Sequence, residues 1–172
     1  MTTFAFVALA LLIGAGSAVQ AGMISSLGRL RGAPEAAWIS VVSAVVALGV
    51  LFAVGALRAS PPNLPAPFKS SAILWLVALL SASALAISVR GVNPVLATTG
   101  LFGFAYLVGA GFLGPRIGIA LFASSVTAGT LIGSVVLDHW GAFGADVHRL
   151  GLARLVGVLL LVFGVLFVHF GE

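Results

Sequence analysis

Every charged residue in this 172-residue chain stands between two apolar runs or at the end of one. The positions are Arg29, Arg31, Glu35, Arg58, Lys69, Arg90, Arg116, Asp138, Asp146, Arg149, Arg154 and Glu172. A charge at the centre of a membrane-spanning helix costs about 2.5–3.5 kcal/mol, so a chain threaded repeatedly through lipid keeps its charges at the breaks. Few folds remain. Backbone N–H and C=O groups inside a bilayer must be satisfied within the protein, and only helices or a closed barrel do this. The apolar runs are continuous rather than alternating, which selects helices.

A helix rising 1.5 Å per residue crosses roughly 30 Å of hydrocarbon in about 20 residues. Six runs approach or exceed that length, at 4–27, 36–57, 71–89, 95–113, 116–138 and 152–170. The expected fold is all-α: a polytopic membrane helix bundle occupying 1–172 as one domain, with six transmembrane helices and five as the alternative count. Composition agrees, because 61% of residues are hydrophobic and 7% charged, whereas a soluble domain has about a quarter of its residues charged. The net charge of +4 comes from basic residues scattered over breaks, with no patch, so a nucleic-acid partner is not expected. The absence of cysteine excludes disulfides, thiolate metal sites and cysteine nucleophiles.

The run from Phe4 to Met23 could pass for a secretory signal, since Val19-Gln20-Ala21 resembles a cleavage site. It lacks a basic leader and precedes further membranous runs, which reads as a retained first helix. Gly14, Ala18 and Gly22 form a small-xxx-small ridge on it, and Ser17, Gln20 and Ile24 lie opposite. Gln20 has two readings of equal weight, an interhelical hydrogen bond and a substrate contact. Arg29 to Glu35 reads as a short basic turn, with Pro34 starting the second helix. Trp38 falls near that start, where an amphipathic ring favours the membrane interface; Trp75 does the same in the third run. Residues 58–69 contain four prolines and form a stiff, extended connector. The break Arg90-Gly91-Val92-Asn93-Pro94 is a turn between two spans rather than a discontinuous helix, because Arg90 would be costly at depth. Tyr106 is the only tyrosine, in a glycine-rich fourth run whose expected role is tight packing.

The fifth run, 116–138, is the most informative. It carries Ser124, Ser125, Thr127, Thr130 and Ser134, which a plain lipid-facing anchor does not need. Ser124, Thr127, Thr130, Ser134 and Asp138 fall on one stripe of about 100°, because spacings of three and four return to the same helix face. Gly129 and Gly133 mark a different face, suited to close helix approach. Membrane serines and threonines often bond to their own i−4 carbonyl or to a neighbouring helix, which is the structural reading of the stripe. Asp138 argues for a functional one, as an ionisable group near a helix end within a bundle. Asp138, His139, Asp146 and His148 lie close in sequence but lack a ligand pattern, so no metal or other cofactor is expected. In the last run, Ala153, Gly157, Gly164 and Gly171 share a stripe expected to be a helix interface, and His169 reads as a boundary surface residue.

The stretch from Thr99 onward has a glycine-rich span, a small turn, a polar-striped helix ending in Leu137-Asp138-x-x-Gly141, and a glycine-spaced last helix. The opening segment adds Gln20, Pro34, Ala36, Ala37 and Ser40. These features resemble the YdcZ-type branch of the drug/metabolite transporter superfamily. Two positions depart from the family's pattern: Ile24 replaces an asparagine, and Thr130 a glutamine, so the expected pathway is less polar here. The family also shows five spans per unit, which makes 71–89 look like an extra one. The resemblance implies a half-transporter unit of the bacterial inner membrane, exporting a metabolite or drug-like organic compound by alternating access as a homodimer or beside a paralogous partner.

On that reading Gln20, Thr127, Thr130 and Ser134 line the substrate path, Trp38 or Tyr106 contacts the ligand, and Asp138 takes a proton or cation. Basic residues on alternate sides of six spans number five against three, a small bias placing both termini outside. A chain inserting both ways could pair with itself antiparallel and supply the inverted repeat many transporters carry. The alternative is a non-transporting membrane subunit whose polar stripe docks another membrane protein. An enzyme is not expected, because no span carries a carboxylate pair, a Ser/His arrangement or a metal triad.

Overall fold

A computed structural model of the chain describes residues 3–58, 63–148 and 151–170, with the backbone alone at 154, 169 and 170. Six α-helices follow one another: α1 (Thr3–Arg31), α2 (Ala33–Leu57), α3 (Ser71–Ser88), α4 (Thr99–Ile117), α5 (Ile119–Trp140) and α6 (Leu152–Phe170). Two short 3-10 segments, Pro94–Thr98 and Ala142–Gly144, precede α4 and follow α5, and no strand occurs among the described residues. Five helices are long and apolar enough to cross a membrane: α1, α2, α3, α4 with its 3-10 lead, and α5. The apolar described part of α6, Leu155–Val168, is shorter than a full crossing of about 20 residues. The fold is an all-α polytopic bundle.

Helix ends differ from expectation in two places, each governed by one glycine. The basic turn expected over 29–35 is mostly helical, because α1 runs to Arg31 and Gly32 alone separates it from α2. Pro115, expected to open the fifth span, lies in the last turn of α4; Gly118 alone precedes α5. Gly32 (φ 97°, ψ 158°) and Gly118 (φ 80°, ψ 150°) share one conformation, a region that side chains with a Cβ rarely enter. Pro115 has no N–H for the Gly111 carbonyl, and the next residue, Arg116, folds its side chain back to donate to the Phe112 carbonyl. Its guanidinium carbon also sits 3.7 Å above the Phe112 ring.

The chain forms two compact units, Met1–Ser26 with Ala105–Glu172, and Leu27–Phe104. In the first, the core joins Ala10 of α1, Leu113 and Ile117 of α4, Leu121, Phe122 and Val126 of α5, and Val165 of α6. The ridge on α1 meets α5 and its C-terminal turn. A Cβ on Gly14 would overlap the Val126 carbonyl, Ala18 Cβ lies 3.0 Å from the position of one on Gly133, and the Phe143 ring covers Gly22.

In the second unit α2 packs on α3 where Gly49 faces Ala78. Gly100, at the start of α4, sits on the Ser40 carbonyl and Ala44 amide of α2. The break after α3 is a turn over 89–93, and the Asn93 side chain caps the 3-10 segment through Val95 N–H at 3.0 Å. Arg31 donates to the carbonyls of Ser88 and Arg90, satisfying groups that a helix C-terminus leaves orphaned. Of the proline-rich connector, residues 63–69 are described and turn through 66–69 with a cis Ala66–Pro67 bond; residues 59–62 lie outside the described residues. The readings of Arg149, Arg154, His169, Gly171 and Glu172 also fall outside them, for the side chain at least.

Candidate functional site

Helix α5 is apolar with hydroxyls at helical spacing, and in the structure each hydroxyl is tied to backbone. Ser124 and Ser125 donate to the Leu121 carbonyl at 3.2 and 2.6 Å, Thr127 to Ala123 at 2.8 Å, and Ser134 to Leu131 at 2.9 Å. Thr130 Oγ1 lies 2.9 Å from the Val126 carbonyl and 3.1 Å from that of Gly14 on α1, and its one proton serves either. Back-bonding consumes the donor and leaves the oxygen's lone pairs facing outward. The stripe therefore presents acceptors.

The surroundings of these groups divide the stripe. Ser125 is fully buried and Thr130 half-buried at the α1 contact, while Thr127 is exposed. Ser134 and Asp138, one turn further on, line a cavity of about 300 Å³ between α5 and α6. Its other walls are Leu131 and Val135 of α5 and Gly157, Val158 and Leu161 of α6. Gly157 matters because nothing lies within 4 Å of where its side chain would be. The small-residue stripe on α6 thus leaves room beside Asp138 rather than sealing a contact there. Gly164 is equally open.

Asp138 is set by the end of its helix. Gly141, in the left-handed conformation at φ 60° and ψ 36°, caps α5 with its N–H aimed at the carbonyls of Asp138 and Leu137. The Asp138 carbonyl also accepts from His148 N–H at 3.0 Å, drawing the following loop back onto the helix end. A left-handed cap favours glycine, which gives the Leu137-Asp138-x-x-Gly141 pattern a physical reason. After the cap comes Phe143, a non-glycine residue at φ 58°, whose ring rests on Gly22. The sequence reading missed this contact. The signal was present in Gly22, a ridge residue at the height where α5 ends.

The remaining expected residues are dispersed. Gln20 is half-buried on α1, in the first unit. Tyr106 is 40% exposed on α4, its ring 6.0 Å from that of Phe122. Trp38 belongs to the second unit and is 55% exposed, and its indole N–H donates to Ser88 Oγ at 3.0 Å. That hydroxyl donates in turn to Ala84 carbonyl at 2.7 Å, so Trp38 holds the end of α3. Ser134 and Asp138 are the two expected residues that line one cavity together. Among the described residues no group of three His, Asp or Glu side chains is placed to hold a metal ion.

Residues 66–167, more than half of the chain, match the model of the family described as "Putative inner membrane exporter, YdcZ". The chain belongs to this family. The match contains the whole of α5, the Asp138 cap and the cavity wall contributed by α6. With five crossing-length apolar helices, this YdcZ-family chain is an integral inner-membrane protein. No curated protein and no solved structure matches it.

Proposed function

We propose that this YdcZ-family chain is a half-transporter unit that exports a small metabolite or drug-like organic compound by alternating access, as a homodimer, parallel or antiparallel, or beside a paralogous partner. One observation carries the reading. The cavity between α5 and α6 joins an ionisable group and a hydroxyl oxygen to an apolar wall, in a protein of an exporter family. A cavity of about 300 Å³ stands at the lower end of the range for small-molecule sites. It would hold part of a cargo in one chain, with the rest contributed by the partner. Ser134 offers lone pairs, which suits a cargo carrying N–H or O–H donors. Asp138 is the proton-coupling group, since carboxylates facing cavities in membrane bundles are the usual proton carriers of transporters.

In this reading Gln20 of α1 and Thr127 and Thr130 of α5 line the pathway with Ser134, and Tyr106 contacts the ligand. Proteoliposomes loaded with a panel of organic solutes test the function. Proton-driven flux of at least one solute, lost on Asp138→Asn with binding retained, is expected. Flux that is unchanged by Asp138→Asn across the pH range would remove Asp138 from the coupling mechanism. Lack of flux for every solute, together with a stable hetero-complex on purification, would favour a docking subunit instead.

A further inference from the structure

The second unit carries a cavity that the transport reading does not use. It measures about 290 Å³ and is lined by Val45, Leu48, Gly49 and Phe52 of α2, Leu74 and Val77 of α3, and Leu64 and Phe68 of the connector. Every lining side chain is apolar. The connector thus lays two apolar side chains over the seam between α2 and α3. It ends at Lys69, next to Phe68, and begins at Arg58, the residue that caps α2. Both basic residues are exposed, and neither has an ion-pair partner among the described residues.

The distribution of acids sharpens this. No Asp or Glu occurs between Glu35 and Asp138. Glu35, the unit's only acid, sits in the first turn of α2, and Leu57 at its far end is roughly 33 Å away along the axis at 1.5 Å per residue. The two cations at the connector end therefore face no counter-charge within the described residues of their own unit. They stand at the end of two helices of membrane-crossing length, on the seam that holds the apolar cavity.

We infer that this end of α2 and α3 is a binding site for an anionic phospholipid, whose acyl chain enters the apolar cavity beneath Leu64 and Phe68 while Lys69 and Arg58 hold its phosphate. Apolar occupancy alone would suit any lipid tail. The unpaired cations select the anionic headgroup, since basic groups at the membrane surface attract anionic lipids. Pro65 and Pro67 stiffen the described part of the connector, and Lys69 directly follows Phe68, which lines the cavity.

The test is native mass spectrometry of the full chain, delipidated in mild detergent and titrated with palmitoyl-oleoyl phosphatidylglycerol or the matching phosphatidylcholine. Wild type is expected to bind the first lipid at least ten-fold more tightly. Arg58→Gln with Lys69→Gln should bring the two lipids within two-fold of one another, and Lys69→Gln alone should give a partial loss. Val77→Phe, which fills the cavity, should weaken both lipids. Arg90→Gln, a charge removed at the other end of the unit, should leave the preference intact, and circular dichroism verifies that each variant is folded. Equal binding of the two lipids by wild type would overturn the proposal, as would a preference that survives the double substitution. So would an equal loss from Arg90→Gln, which would show attraction by net charge alone.

Discussion

The carbonyl oxygen of Val126 on α5 occupies the space that a methyl group on Gly14 of α1 would fill. The relation is reciprocal, because the carbonyl of Leu11 blocks the same position on Gly129. The members on each helix are three positions apart, so α1 and α5 cross backbone to backbone at two matched points. Membrane helices have no hydrophobic drive to associate with one another, and close packing of small residues supplies much of the attraction.

Substitution at this crossing should therefore be costly where the same change elsewhere is not. Gly14→Ala and Gly129→Ala are each expected to destabilise by about 1–3 kcal/mol, the usual range for forced overpacking. Gly28→Ala and Gly164→Ala, which meet nothing within 4 Å, should stay within about 0.5 kcal/mol. Unfolding by denaturing detergent, followed by circular dichroism, distinguishes the two pairs.

Thr130 and Thr127 occupy the same stripe but should separate in the same assay. Thr130→Val removes a hydroxyl shared with Gly14 across the helix crossing and is expected to cost about 0.6 kcal/mol, the average for interhelical bonds in membranes. Thr127→Val removes a bond within one helix at an exposed position and should leave stability unchanged.

The helix links make a third prediction. Gly118→Ala places a Cβ at φ 80° and ψ 150°, and the strain of such a conformation is about 1–3 kcal/mol. Pro115→Ala, which restores an N–H to the last turn of α4, should be neutral or stabilising. If the proline made the turn, the order of the two effects would reverse.

Arg31 and Trp38 converge on Ser88 and hold the C-terminal end of α3. Hydrogen exchange should show faster opening over 85–90 in Arg31→Gln. Trp38→Phe keeps the ring but loses one hydrogen bond, worth about 1 kcal/mol, and should show a smaller increase confined to the same segment.

Much of the fold was legible because lipid imposes a simple rule on where charges can stand. The apolar runs located every helix, and the Gly14, Ala18 and Gly22 ridge and the Gly129 and Gly133 face were both readable from spacing. Helix ends were less so. Pro115 and Arg29 to Arg31 carry strong turn chemistry, yet a single positive-φ glycine downstream made each turn, and φ cannot be read from a residue name. The polar stripe was visible as a face, but sequence does not say whether a hydroxyl looks outward or bonds back, since the i−3 and i−4 carbonyls are always within reach. The glycines of α6 illustrate the same limit. Their spacing suggested contact, whereas Gly157 and Gly164 are open and Gly157 makes room for the cavity beside Asp138.

The central claim is that the cavity holding Ser134 and Asp138 is part of a water-accessible route. The chain contains no cysteine, so Ser134→Cys introduces a unique thiol, and thiol reactivity requires the thiolate and hence a wet environment. In sealed vesicles, labelling with a membrane-impermeant maleimide should be rapid at Ser134→Cys, should fall when transported solute is present, and should be absent at Ser125→Cys, whose parent side chain is fully buried. Ser134→Cys left unlabelled from both sides of the membrane would contradict the account.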